Sequence, residues 1–137
     1  MLLDEMQAEK NGAWIASQNS DWARIGGGYV HDGNAGKGEA SITFWPAVPK
    51  TGDYELVLVY PPHPNRATRV PVMIATQGSN SNAEEIRYIN QRDAAKGNFA
   101  SLGTFHLAKG AKTSITISNK DTNGYVVVDG LQLIPRS

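Results

Sequence analysis

The sequence predicts an all-β domain, a two-sheet antiparallel sandwich of the jelly-roll type, on three observations. Short runs of alternating apolar and polar residues recur at intervals of roughly 10 to 15 residues. Clusters of Gly, Asn, Asp, Lys and Ser punctuate them, which is turn chemistry. Beyond one turn near the start, no window of about 11 residues sustains a helical period. About eight or nine such strands in a chain of 137 residues suit one domain over 1–137, folded as two sheets around one core.

The elements follow in order. LDEMQAEK offers at most a helical turn near Glu5 to Lys10. After the turn-forming GGG and DGNAGKG, EASITFW alternates Ala40, Ile42 and Phe44 against Ser41, Thr43 and Trp45, the period of a strand with one buried face. DYELVLVY sets Tyr54, Leu56, Leu58 and Tyr60 on one face and Glu55, Val57 and Val59 on the other. RVPVMIA contains Pro71, which cannot donate to a ladder, so its strand is expected at a sheet edge or starting at a bulge. EEIRYIN and FASLGTFHL come next, and TSITIS opposes Ile115 and Ile117 to Ser114, Thr116 and Ser118. In GYVVVDGLQLI, read as the last strand, Tyr125, Val127, Leu131 and Leu133 share a parity, and Asp129 falls in the same register.

Several functions are disfavoured by composition. Thirteen basic and thirteen acidic side chains cancel, so no net field draws the domain to nucleic acid or to an anionic membrane. No apolar run approaches the roughly 20 residues of a bilayer span. The absence of cysteine removes disulfides and thiolate metal sites. MLLDEMQAEK lacks the order of a signal peptide, and the expectation is an extracellular or periplasmic module excised from a larger bacterial protein with its signal upstream. The three histidines, His31, His63 and His106, form no HExxH or i,i+2 ligand pattern. No serine sits in a G-x-S-x-G elbow. GNAGKGEAS resembles a phosphate loop only until Lys37, which is followed by Gly38 and by no helix.

Three groups of residues remain as candidates. Tyr60, His63, Asn65 and Arg66 crowd one loop in YPPHPNRATRVPVMI. A small jelly-roll lyase would need a tyrosine or histidine base beside an arginine or asparagine, but catalytic groups in a sandwich converge from several strands, not one loop. Asn65 and Arg66 are equally suited to holding the loop, since a guanidinium can tie several carbonyls together. Trp22 lies in an irregular stretch beside Asn19, Asp21 and Arg24, where an indole face and placed polar groups would suit a sugar. Trp14 and Trp45 are expected to pack in the core or on a sheet face. Asp129, in core register, must meet backbone N–H groups, a basic side chain or a metal. If the first and last strands pair, Asp4, Glu5 or Glu9 would approach it, and calcium would suit such a set of oxygens.

Several stretches together resemble a known family. NRATRVPVMI, the Asn90–Gln91 pair, FASLGTFHLAKG, SITISNKDTNGYVVVDGLQLIP and the opening LDEMQAE…GAW fall in the order and spacing of the golvesin C-terminal, or xanthan-lyase carbohydrate-binding-like, domain. The resemblance runs from about Leu3 to Pro135. HDGNAGKGEAS is most similar to copies at the C-terminal end of bacterial FAD-dependent oxidoreductases; other copies are attached to polysaccharide lyases and secreted hydrolases. It implies a galactose-binding-like β-sandwich accessory module that binds carbohydrate and has no chemistry or cofactor of its own. On that reading the partners are a polysaccharide or other glycan and a parent catalytic domain in cis. The rival is a structural domain packed on its parent enzyme. Trp22, His63, Asn65, Arg66, Asn90 and Gln91 stand as ligand candidates, and Asp129, Asp4 and Glu9 as a possible structural calcium set. This chain departs from the family in carrying Phe99 where a Trp often precedes the SLGT strand.

Overall fold

The computed structural model describes residues 1–17, 29–77, 82–93 and 99–136. The first half of the chain holds β1 (Leu2–Asp4), β2 (Glu9–Asn11), β3 (Ile15–Ser17), β4 (Tyr29–His31), β5 (Ser41–Phe44) and β6 (Gly52–Val59). The second half holds β7 (Val70–Gln77), β8 (Asn82–Ile89), β9 (Phe99–Leu107), β10 (Thr113–Ser118), β11 (Val127–Val128) and β12 (Gly130–Arg136). Among the described residues the helical content is one 3-10 turn, Glu5–Gln7. There are more strands than the alternation predicts because β1 to β4 and β11 are two or three residues long, too short to show a period.

Two antiparallel sheets form a jelly-roll sandwich, one ordered β1-β12-β6-β9 and the other β2-β5-β10-β7-β8, with a small third sheet β11-β4-β3. The predicted inward faces meet between them. Tyr54, Leu56, Leu58, Leu102, Leu107 and Leu133 come from the first sheet. Ile42, Phe44, Val70, Val72, Ile74, Ile115 and Ile117 come from the second. All are buried, and this one contiguous cluster is the main favourable term in the fold.

Two details differ from the sequence reading. Pro71 lies in an internal strand, since β7 sits between β10 and β8. The β10 ladder ends at Val72↔Ile117, however, while Pro71 pairs with Tyr88 of β8. At that residue β7 has a neighbour on one side only, which is where a missing N–H is tolerated. The final run is not one strand either. β11 belongs to the small sheet and β12 to the four-stranded sheet, and Asp129 stands at the break between them.

The edges that face each other on one side of the sandwich are β8 and β9. Glu85 and Arg87 of β8 pair at 3.5 Å, and the Arg87 guanidinium reaches across to lie 5.4 Å from the ring centre of Phe105 on β9. Charge on the inner side of an edge strand discourages further strands from adding there.

Candidate functional site

The loop after β6 is a scaffold. Arg66 is only 7 % exposed. Its Nε donates to Pro61 O at 3.2 Å, one terminal nitrogen to Asn65 Oδ1 at 2.6 Å and the other to Tyr29 Oη at 3.5 Å. The guanidinium also lies 5.6 Å from the centre of the Tyr29 ring. Ala67 N donates to Tyr125 O at 2.8 Å and Tyr125 N to Asn65 O at 3.0 Å, so the loop is stitched to the segment before β11. Gly124 makes that approach possible, because a Cβ there would stand 2.7 Å from the carbonyl carbon of Arg66.

The loop does not assemble a base. His63 is exposed, and its Nδ1 accepts Asn65 N–H at 3.1 Å. Tyr60 is buried, and its pKa is pushed up to about 12 by burial first and then by the negative charge of Asp93. A phenol so hard to ionise is a poor proton acceptor near neutrality.

Gln91 and Asn90, adjacent in sequence, have opposite fates. Gln91 is fully buried (0 %). Its Nε2 donates to Val127 O at 2.7 Å and its Oε1 accepts Val127 N–H at 2.9 Å. Its backbone N–H meets Ala67 O at 2.9 Å. The side-chain amide thus substitutes for a peptide group beside β11. Asn90 is exposed, and its Oδ1 accepts Arg92 N–H at 3.0 Å, which leaves its NH₂ to donate outward. Among the ligand candidates, then, Arg66 and Gln91 are buried structural residues, while Asn90 faces a cleft. Trp22, with Asn19, Asp21 and Arg24, lies outside the described residues.

That cleft opens between β8 and β9, with a volume of about 310 Å³. Tyr88 enters from the end of β8, Asn90 and Asp93 from the following turn, Phe99 and Ser101 from the start of β9, and Tyr60 lies beneath. Tyr88 and Phe99 are half exposed, at 50 % and 49 %. Phe99 is therefore a surface ring, not a core residue. Ser101 is already engaged, donating to Glu55 Oε2 at 2.7 Å. Two apolar ring faces, an amide and a carboxylate make a set that can stack on a sugar and hydrogen-bond its hydroxyls. Sequence reasoning missed Tyr88 and Asp93. Alternation could not have found Tyr88, because in EEIRYIN Glu84, Ile86 and Tyr88 share one parity while Glu85 and Arg87 carry the charges of the other, so neither face is marked as outward.

A second polar group was also missed. Asp32 is buried, with Oδ1 accepting Asn34 N–H at 2.9 Å and Val126 N–H at 3.0 Å, and Oδ2 accepting Lys37 Nζ at 2.9 Å and Asn119 Nδ2 at 3.0 Å. Lys37 also donates to Gly124 O at 2.7 Å, and Asn119 Oδ1 accepts Gly38 N–H at 2.9 Å and Ala40 N–H at 3.2 Å. Burial pushes the Asp32 carboxyl up, but the hydrogen bonds from Lys37, Val126, Asn119 and Asn34 outweigh it and hold it below the ordinary carboxylate value. The residues that mimic a phosphate loop thus build an internal brace.

The proposed calcium set is spread out. Asp129 is 1 % exposed, and β1 brings Asp4 opposite Gly130. Glu9 is exposed and pairs with Thr43 in the other sheet. The Lys10 ammonium contacts Glu5 O at 2.6 Å and Glu5 Oε2 at 3.1 Å. Among the described residues no three acidic or histidine side chains gather to hold a metal.

Comparison with known proteins places this geometry. The family model of the golvesin C-terminal domain matches residues 1–135. The chain belongs to the golvesin C-terminal domain family. A xanthan lyase from Bacillus sp. (strain GL1) is 35 % identical over 135 residues, covering 96 % of this chain and 14 % of the lyase. The solved structure of a Paenibacillus xanthan lyase superposes with a TM-score of 0.86 at 35 % identity, over 99 % of this chain and 13 % of that one. This golvesin-type domain thus spans about one-seventh of the length of the curated relative it matches. A family 35 carbohydrate-binding module from Clostridium thermocellum gives a TM-score of 0.67 at 17 % identity, covering 98 % of both chains. The Podospora anserina GH26-CBM35 β-(1,4)-mannanase gives 0.67 at 21 %, over 100 % of this chain and 28 % of the enzyme. These last two share the fold.

Proposed function

We propose that this golvesin-type domain is a non-catalytic accessory module that holds a glycan in the cleft between β8 and β9 and serves a catalytic domain in the same polypeptide. The observation that carries the reading is the pair of half-exposed rings, Tyr88 and Phe99, beside Asn90 and Asp93. Pyranose rings present C–H faces to aromatic rings and hydroxyls to amides and carboxylates, so the cleft matches them in both respects. The non-catalytic part rests on the buried Tyr60 and Arg66 and on the exposed His63, none of which faces a shared reaction centre. A parent enzyme in cis is supported by the small share of the xanthan lyases that the chain covers. An extracellular or periplasmic site of action follows from the ligand class, since large polysaccharides are met outside the cytoplasmic membrane.

Affinity electrophoresis through gels containing xanthan, β-1,4-mannan, β-1,3-galactan or dextran tests the reading. At least one polymer is expected to retard the protein, and Phe99→Ala and Tyr88→Ala are expected to abolish the retardation with the circular dichroism unchanged. Free migration in every gel, or retardation indifferent to both substitutions, would sink the proposal. Incubation with the same polymers should release neither reducing ends nor unsaturated products, and reproducible release would overturn the non-catalytic assignment.

A further inference from the structure

The outer faces of the two sheets differ in kind. On the four-stranded sheet, exposed polar side chains pair across strands, Arg136 with Glu55 and His106 with Asp53. On the five-stranded sheet, Met73, Ile86 and Tyr88 stand exposed next to one another, and the register aligns them. Tyr88 lies opposite Pro71, Ile86 opposite Met73, Met73 opposite Thr116 and Thr116 opposite Thr43. The result is an apolar band on β7 and β8 that gives way to the hydroxyls of Thr116 and Ser118 on β10. The Thr43 and Thr116 hydroxyls hydrogen-bond each other at 3.0 Å. A groove of about 640 Å³ runs over this face, and Lys120 and Asp121 close one end of it.

The groove and the cleft are joined at one residue. Tyr88 lines both, and the Arg69 guanidinium lies 3.9 Å from the centre of its ring, fixing the ring at the corner where the sheet face turns over the β8 edge. We propose that one glycan chain occupies both, passing over Tyr88 from the cleft onto the outer face of the five-stranded sheet, so that the module selects polysaccharide segments long enough to span the two. The proposal rests on the assignment of the cleft to glycan. Beyond Tyr88 the groove offers the aliphatic surface of Pro71, Met73 and Ile86 to sugar C–H faces, with the hydroxyls of Thr116 and Ser118 and the charges of Lys120 and Asp121 at its border. From β8 to β10 it crosses two strand spacings of about 4.8 Å each, which adds a run of contacts that a short ligand seated in the cleft cannot reach. Two linked contacts raise affinity through effective concentration, so chain length is the property to measure.

The experiment titrates the protein with short and long fragments of xanthan, β-1,4-mannan, β-1,3-galactan and dextran, following binding by calorimetry and by backbone amide shifts. For the polymer that binds, long fragments are expected to bind at least about tenfold more tightly than short ones. They alone should shift amides of β7 and β10 around Met73 and Thr116. Ile86→Asp or Met73→Asp, at exposed positions that leave the core untouched, should remove the gain with length and keep the short-fragment affinity. Phe99→Ala should weaken both. Equal affinity for short and long fragments, or a gain that survives both sheet-face substitutions, would overturn the continuous path and leave the cleft standing. A surviving gain together with weaker capture of a catalytic domain by the variants would give the face to a protein partner instead. No binding at any length, or binding indifferent to Phe99→Ala, would remove the cleft assignment and the path with it.

Discussion

The side chain of Gln91 and the backbone of Val127 hold each other by two hydrogen bonds, at 2.7 and 2.9 Å, in an interior closed to solvent. The amide fits a backbone donor and acceptor at once, and only glutamine has both groups on a stem of that length. Gln91→Ala strands two buried backbone groups and is expected to cost about 2–4 kcal/mol, or roughly 10 °C in Tm. Gln91→Glu keeps the shape but sets a carboxylate against the Val127 carbonyl, and should be at least as damaging at neutral pH. A Tm within about 2 °C of wild type for either variant would refute the structural role.

Arg66 is expected to act through its fork, not its charge. Arg66→Ala should lower stability by about 1–3 kcal/mol, and Arg66→Lys should recover little, because an ammonium cannot reach Pro61, Asn65 and Tyr29 together. Glycan retardation measured well below the melting transition should be unchanged in both. Full rescue by lysine, or loss of retardation with normal Tm, would move Arg66 from scaffold to site.

Acid should weaken the fold in two steps. His31 has a pKa below its usual value, through burial first and the nearby Arg66 cation second, with Asp32 opposing. Its Nδ1 accepts Gly33 N–H at 3.0 Å, a bond that protonation at Nδ1 would break. The native state therefore binds fewer protons at His31 than the unfolded chain does, and stability falls as pH drops below 6.5 towards the depressed native value. Asp32 is likewise depressed, so its contribution is intact above 3.8 and is lost as pH falls further through its native value. Urea midpoints from pH 8 to pH 3 check this. His31→Gln should flatten the upper step and Asp32→Asn the lower, and a midpoint indifferent to pH between 7 and 5 in the wild type would contradict the first.

Asp129 is expected to matter without a metal. Asp129→Ala should destabilise by about 2–4 kcal/mol, while EDTA should leave the wild-type Tm where it is. The reason is the arrangement at that corner, where Glu9 belongs to the opposite sheet and Lys10 already supplies a cation to Glu5. A Tm lowered by EDTA and restored by calcium would reinstate the metal.

The sandwich was legible because its long strands alternate cleanly. Ile42, Phe44, Leu56, Leu58, Ile115 and Ile117 are buried as their parity requires. The parity of Asp129 with Val127 and Leu131 likewise pointed inward, and the residue is buried. The break of the last run into β11 and β12 was invisible, since Val126, Val127 and Val128 are all buried and a run buried on both sides carries no period. The candidate cleft was half legible. Asn90 and Phe99 stood out by resemblance, whereas Asp93 sits in a turn whose facing is set only by how β8 and β9 approach each other. The brace of Asp32, Lys37 and Asn119 was hidden for a related reason, because 87 residues separate Asp32 from Asn119 and no local pattern marks polar groups that meet only in space.

The pairing of β1 with β12 has a mechanical consequence. Leu2 lies opposite Gln132, Asp4 opposite Gly130, and Leu133 N–H donates to Met1 O at 2.8 Å, so the N-terminal end of β1 and the C-terminal end of β12 lie on the same side. Tension applied between the two ends would peel β1 from β12 one hydrogen bond at a time, like a zipper, instead of shearing the ladder all at once. Load that entered through a ligand held at the β8–β9 cleft, as proposed, and left through a single end would bypass that seam. The fold should accordingly withstand far more pull as a tethered anchor than as a link in a stretched chain.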